Sequence, residues 1–528
     1  MSKKIEKIVI VGGGSAGWMT ASTFIKFLKN IEIVLIESPT IEKIGVGEST
    51  LQSLIPWLYS LEIDHKDFMS YTDASYKLSI KFTDFNRIGD GGFHYPFGNP
   101  YLGNCYVQNG NDWHILKHYY PETKRQNYVE SLYPSSVLLE SNKIYFPKNN
   151  ELENFDMKKD YALQFDAIKF AEWLSEKYAK PRGVVHIQKN VKDVIVNDEG
   201  IKKIILEDNE NIEADIYVDC TGFNGLLISK ALHTEFESFE SKLPVNRAWA
   251  VQIPYENPEE EVVLYTECTA LGYGWVWNAP LYSRIGTGYV YSDKFTTPEN
   301  ALEEFKSFLK KEKGEKRIDD SLKFRDIRFR SGIMSKPWNK NVIGIGLSTA
   351  FLEPLESNGL LFIHENALQA VRMLSRGYFT KWDEETYNYA VKKHFYGFAS
   401  FVQQHYILSS RNDTEFWKYM TTRDVVDSEL KLTNMNVWAD EMRRKTHDQA
   451  YYLDPASGFH CIAVGHEWSP IAPFSIKYWE MYYNSDYLLQ VNSFKEKTNK
   501  SIKKWKNVIK DAPIHYNYLK KEFHNENI

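Results

Sequence analysis

The chain is 528 residues long, more than one ordinary domain, and its 64 basic against 70 acidic residues leave a formal charge of −6. That balance argues against nucleic acid or an anionic membrane as the main partner, and 43% hydrophobic with 25% charged residues argues against a disordered chain. Cys105, Cys220, Cys268 and Cys461 stand far apart without a Cys-x-x-Cys pair, so neither a metal centre nor a disulfide framework is expected.

The basic start, Met1–Lys7, leads into the apolar run Ile8–Val11, which is too short for a signal peptide. No stretch reaches the roughly 18 apolar residues of a membrane span. A soluble, cytoplasmic protein is expected. Ile8–Val11 reads as a buried strand, followed by the turn Gly12-Gly13-Gly14-Ser15-Ala16-Gly17 and by helical character from Trp18 toward Leu28. A second strand, Ile33–Ile36, ends at Glu37, completing a βαβ unit that opens an α/β domain. Residues 86–150, rich in Gly, Asn, Pro and Tyr, read as irregular excursions over a pocket. Strands are expected to alternate with helices from Ile187 to Asp219, with Ile204–Leu206 and Ile216–Val218 among them. From Trp382 onward the spacing is helical, and Lys503, Lys504, Lys506 and Lys510 read as a solvated helix face.

Gly12-x-Gly14-x-x-Gly17 stands where a dinucleotide fingerprint belongs, between a strand and a helix. Ser15 and Ala16 open that helix, whose free N–H groups and positive dipole end suit a pyrophosphate. Glu37, twenty residues after Gly17, is positioned to accept hydrogen bonds from a ribose diol. The chain carries no second complete fingerprint. Later turns read instead as further walls of one long cofactor: Gly45-Val46-Gly47-Glu48-Ser49, Asp219-Cys220-Thr221-Gly222-Phe223, and Gly344-Ile345-Gly346 with Leu347. Such a ligand suits FAD better than NAD.

Three segments carry further chemistry. In Ser75–Phe82 the apolar Tyr76, Leu78, Ile80 and Phe82 alternate with Lys77, Ser79 and Lys81; read alone, the polar set is a solvated face of a surface strand. Gly274-Trp275-Val276-Trp277-Asn278-Ala279-Pro280 puts two indoles on one face, which by itself means core packing. Phe351-Leu352-Glu353-Pro354-Leu355-Glu356-Ser357-Asn358-Gly359 holds two acids in an apolar run beside a helix start. A buried glutamate is unusual enough to be a functional candidate.

Taken jointly, these segments resemble the flavin-dependent tryptophan halogenases, in order and spacing, from Ile8 to about Arg376. Asp219–Leu227 and Gly286–Ser292 are also similar to that family. The resemblance implies an FAD-binding Rossmann-like domain of the flavin monooxygenase type (1–90 and 160–375) with a mainly helical substrate subdomain (91–159 and 376–528). It implies an enzyme that uses reduced FAD from a separate flavin reductase, dioxygen and a halide to make hypohalous acid, which halogenates an aromatic small molecule. Lys77 would hold and polarise the oxidant, and Glu356 would stabilise the ring cation or take its proton, with Ser357 beside it. Backbone N–H groups at Asn358 and Gly359 would hold the halide, and Trp275 with Trp277 would bar the substrate from the flavin. Phe93, His94 and Tyr95 are candidate walls of the substrate pocket. A homo-oligomer is expected.

The departures are as informative. Ala279 stands where the family has Ile before the proline, leaving a smaller side chain, and Asn358 where it has Thr, which changes the shape and polarity of the halide pocket; bromide and iodide, easier to oxidise than chloride, are the expected halides. The stretch Tyr451–Cys461 is shorter than the one that grips free tryptophan in the family, so indoles, phenols or other electron-rich aromatics are the expected substrates. Two rival readings use the same motifs: a flavin monooxygenase inserting oxygen, and a non-catalytic FAD-binding protein, which has no need of Lys77 or Glu356.

Overall fold

The structure is a computed structural model and describes residues 4–41, 48–105, 111–422, 458–467, 481 and 486–524. The chain divides into two compact units. One comprises residues 1–75, 163–254 and 281–399, and the other 76–162, 255–280 and 400–528.

The first unit is built on a six-stranded sheet. Its centre is strand β1 (Lys7–Val11), followed by helix α1 (Ser15–Phe27) and strand β2 (Glu32–Glu37). Across the sheet the order is Trp338–Asn339, Val342–Gly344, Ile216–Asp219, β1, β2, Val185–Gln188. Every pairing is parallel except that of the edge strand Trp338–Asn339. This is the expected Rossmann-like core. Val9, Val11, Val34, Ile36, Tyr217, Leu227 and Val342 bury together, which explains the continuous β-branched runs in the sequence. Gly17 is required by packing: a Cβ there would lie 1.8 Å from the Gly12 carbonyl oxygen, so only glycine lets α1 leave the strand at this angle.

Between Ile187 and Asp219 the expected helices are absent. The strands Val191–Asn197, Gly200–Leu206 and Asn211–Ile212 form an antiparallel meander instead. The polar spacers are too short for a helix, and Gly200 with φ +127° closes the hairpin. The unit also holds an antiparallel sheet of Arg325–Arg328, Arg247–Pro254 and Arg284–Tyr291.

The second unit joins strands to helices. Gly274–Pro280 pairs antiparallel with Tyr265–Ala270, which pairs parallel with Ser79–Thr83, and that strand pairs antiparallel with Gly92–Pro96. Residues 76–90, 160–162 and 255–280, expected with the FAD-binding part, fall in this unit, while 376–399, expected with the substrate part, fall in the first; this unit carries a sheet as well as helices. Residues 86–150 are less irregular than their composition implies. They form the strand Gly92–Pro96 and the helices Asn111–Tyr119, Gln126–Leu132 and Ser136–Ser141. Trp113, Leu116, Tyr128 and Leu132 of those helices, with Tyr133 just past the second, bury against Val491 and Phe494 of the helix Tyr487–Val508. On that helix Lys503, Lys504 and Lys506 are exposed, with Lys504 paired to Glu153 and Lys506 to Glu140. No helix among the described residues is long and apolar enough to cross a membrane.

Candidate active site

In the first unit the glycine turn, the helix start and three later segments converge. Gly14 precedes α1 with no side-chain cap, no acid lies in the first helical turn, and a Cβ on Gly14 would meet nothing within 4 Å. Unfilled N–H groups facing open space fit a pyrophosphate. Ser15 Oγ donates to the Ala167 carbonyl (3.2 Å), which fixes the first turn against the helix Ala167–Trp173. Gly346, at φ +80°, begins the single turn Gly346–Leu347–Ser348; a Cβ on it would come within 2.8 Å of the Ala16 Cβ. Segments 330 residues apart therefore meet beside the same turn, as a long cofactor requires.

Asp219 organises the neighbouring wall. Its fully buried carboxylate accepts from the Thr221 hydroxyl (2.7 Å) and from the N–H groups of Thr221, Leu227 and Ile228. Burial pushes its pKa up, and these donors oppose the shift. Glu37 at the end of β2 is bound by His186, whose Nε2 lies 2.9 Å from Oε2. Gly45, Val46 and Gly47 lie outside the described residues. Glu48 forms the short strand Glu48–Ser49, paired with Gln164 and Phe165. It keeps part of its surface exposed, yet its carboxyl is enclosed, and burial, aided by Asp166, pushes it up to about 7.

The acidic segment reaches this same unit. Glu353 and Glu356 are fully buried, Glu356 within the single turn Pro354–Glu356. Ser357 follows at φ +56°, a left-handed conformation uncommon for serine, and its Oγ donates to Ser49 Oγ at 3.1 Å. The strand Glu48–Ser49 is thereby joined to the acidic segment. Asn358 Nδ2 donates to the Glu353 carbonyl (3.2 Å), which ties the segment's two ends. The helix Gly359–Leu374 starts without a side-chain cap or an early acid, and nothing lies within 4 Å of where a Gly359 Cβ would sit. That combination suits a small anion.

The second unit contains the lysine segment, and the solvated face that alternation alone suggests does not hold for Lys77 and Ser79. The strand is interrupted at Leu78, whose N–H donates to the Leu264 carbonyl (2.7 Å) and whose own carbonyl accepts from Phe97 N–H (2.8 Å). Lys77 has no exposed surface, and its ammonium stands 5.3 Å from the centre of the Phe97 ring. Ser79 is buried against His94 Nδ1 (2.8 Å), while Lys81 is partly exposed and pairs with Glu267 (2.9 Å). An ammonium removed from water is stabilised by the ring face.

Phe93 packs with Phe82, His94 edge-on to Tyr265, and Tyr95 edge-on to Phe401. Of this aromatic run it is Phe97, absent from the sequence expectation, that faces the amine. Its signal was its place in the same run, two residues past Tyr95. Trp275 is fully buried and Trp277 half-buried, opposite Ala270 and Cys268 on the neighbouring strand. Of the stretch Tyr451–Cys461, residues 451–457 lie outside the described residues.

The Rossmann-like unit with its uncapped glycine turn defines a protein of the dinucleotide-binding class. Residues 7–475 match the tryptophan halogenase family model, and the chain belongs to the flavin-dependent tryptophan halogenases, an oxidoreductase family. It is 35% identical over 442 residues to tryptophan 6-halogenase SttH of Streptomyces toxytricini, covering 80% of this chain and 82% of that one. To tryptophan 7-halogenase RebH of Lentzea aerocolonigenes it is 32% identical, covering 79% of each chain. Among solved structures, VirX1 in its apo form is similar with a TM-score of 0.90 and 34% identity, over 99% of this chain and 100% of that one. The SttH crystal structure gives 0.82 and 29%, over 97% and 99%.

Proposed function

We propose that this chain is a two-component halogenase that converts bromide or iodide, in preference to chloride, into hypohalous acid and directs it onto electron-rich aromatics such as indoles and phenols. Bound FAD, reduced by a separate flavin reductase, supplies the electrons with which dioxygen oxidises the halide. The protein's share is positional. The uncapped start of Gly359–Leu374, with the N–H groups of Asn358 and Gly359, holds the halide. Trp275 and Trp277 keep the organic substrate from the flavin. Lys77 donates a hydrogen bond to the oxygen of hypohalous acid and draws electron density from the halogen. Glu356 stabilises the cationic ring and accepts the proton that leaves it. Phe93 and Tyr95, which share one face of their strand, line the aromatic pocket, whereas His94 projects from the opposite face. The relatives are named for tryptophan; the short stretch after Tyr451 supports a broader set of aromatics here.

The observation that carries this reading is the zero exposure of Lys77 above the Phe97 ring, because a lysine serving solubility would reach water. The test supplies enzyme, FAD and a reductase with chloride, bromide or iodide against a panel of aromatics, read by mass spectrometry. Halogenated product is expected from the wild type and none from Lys77→Ala, with FAD binding unchanged. Oxygenated product formed without halide, or unchanged turnover in Lys77→Ala, overturns the reading.

A further inference from the structure

The turn that opens this chain contains one glycine more than a dinucleotide fingerprint needs: Gly13 occupies the free position of Gly12-x-Gly14. The structure supplies a reason. A Cβ on residue 13 would lie 2.1 Å from Glu37 Cδ and 2.4 Å from Oε2, so the carboxyl of Glu37 rests directly on the backbone at this position. The same Oε2 lies 2.9 Å from His186 Nε2, and both side chains are about nine-tenths buried.

The sheet makes this meeting unavoidable. The strand Val185–Gln188 runs parallel to β2 with Leu35 opposite His186 and Glu37 opposite Gln188. Residues 35, 37, 186 and 188 therefore project from one face, with His186 one step diagonal to Glu37. The face is the one that α1 covers, since a Cβ on Gly17 would also come within 3.5 Å of Leu35 Cδ1. Trp18, one residue further along α1, closes the far side of the imidazole edge-on, with ring centres 4.9 Å apart. The imidazole is thus held between an indole and a carboxylate. A carboxylate only accepts hydrogen bonds, so Nε2 carries the proton in this contact.

A carboxylate that grips a ribose diol must keep its plane and its distance from the turn, and a buried one without a fixed donor is costly. We infer that His186 is a positioning residue which, with Gly13, locks the Glu37 carboxyl in the orientation that recognises the ribose of an adenine dinucleotide. The inference rests on FAD as the cofactor. His186 touches no reacting atom, so its effect appears in cofactor affinity and not in the halogenation step.

The test measures binding of FAD, by quenching of its fluorescence, and of ADP, which carries the same ribose, to the folded apoprotein. The variants are H186A, H186Q, E37A and the double variant H186A/E37A, with the thermal midpoint of each. H186A is expected to lower affinity for FAD and ADP about tenfold, and E37A at least as much. H186Q, whose amide restores a donor, is expected within about threefold of wild type. H186A/E37A is expected to bind no more weakly than E37A alone, because His186 acts only through Glu37. Wild-type affinity in H186A with a loss in E37A overturns the inference alone. An equal loss in H186A and H186Q, or an additive loss in the double variant, reduces His186 to a structural part and also overturns it. A folded wild type that binds neither FAD nor ADP overturns the cofactor reading and this inference together.

Discussion

His515 accepts a hydrogen bond at Nε2 from the backbone N–H of Tyr76 at 3.1 Å, while its Nδ1–H donates to the Val262 carbonyl at 3.1 Å. An imidazole from near the end of the chain is thus fixed in one neutral tautomer against the residue preceding Lys77. The N–H following Lys77 is pinned to Leu264, so the backbone on both sides of the amine is held by residues remote in sequence. Replacing His515 with Ala leaves the Tyr76 N–H buried without its acceptor. Halogenation by this variant is expected to fall at least tenfold in kcat with FAD affinity unchanged, measured by steady-state kinetics and flavin titration. Unchanged kcat would remove His515 from the positioning of Lys77.

Buried histidines set the acid limit of the fold. Burial, the largest cause in each case, lowers His94, His364 and His515 to about 3 and His460 to about 4. Each folded value lies below the ordinary 6.5, so the stability that depends on a neutral ring is complete above pH 6.5 and drains as pH falls toward 3. Each such group steepens the loss by up to about 1.4 kcal/mol per pH unit. Urea midpoints are expected to drop sharply between pH 6.5 and 5, and less sharply in His460→Gln. A midpoint constant across that range would mean that these rings are hydrated.

Glu48 runs the other way. Its folded value of about 7 lies above the ordinary 4.5, so the folded chain prefers the protonated carboxyl. Its contribution is intact below about pH 4.5 and lost as pH rises through 7. Glu48→Gln is expected to stabilise the flavin-free protein by about 1–3 kcal/mol at pH 8 and by nothing at pH 4. Denaturant melts at the two pH values check it.

Asn358 departs from the family's Thr beside the proposed halide position. Its Nδ2 is engaged by the Glu353 carbonyl, and its Oδ1 is buried without a partner among the described residues. An acceptor oxygen near an anion weakens binding of the smallest, most charge-dense halide most strongly. Asn358→Thr is expected to raise chlorinated over brominated product severalfold in equimolar halide, read by mass spectrometry. An unchanged ratio would separate halide choice from this side chain.

What the sequence disclosed was mostly local. β1, the glycine turn, α1 and Glu37 are contiguous, so spacing alone placed them. Lys77 was different. Alternation read as a solvated face because nothing near it in the chain announces the break at Leu78, which depends on Leu264 and Phe97. The bond from Ser357 to Ser49 and the pairing of Glu37 with His186 are likewise tertiary. Helices were wrongly inserted between Ile187 and Asp219, where short polar spacers made hairpins instead of crossovers. The excursions at 86–150 concealed helices because these are short, and the pattern carried by Trp113, Leu116, Tyr128 and Leu132 is completed only against the distant Val491 and Phe494.

The ladder between Gly274–Pro280 and Tyr265–Ala270 sets each indole against a small neighbour, Trp275 facing Ala270 and Trp277 facing Cys268. A bulkier residue at 268 or 270 would therefore press on the indole opposite it while leaving both tryptophans in place. If the tryptophans bar the substrate as proposed, substitutions at residues 268 and 270 are expected to change which aromatics are accepted, read against the same substrate panel.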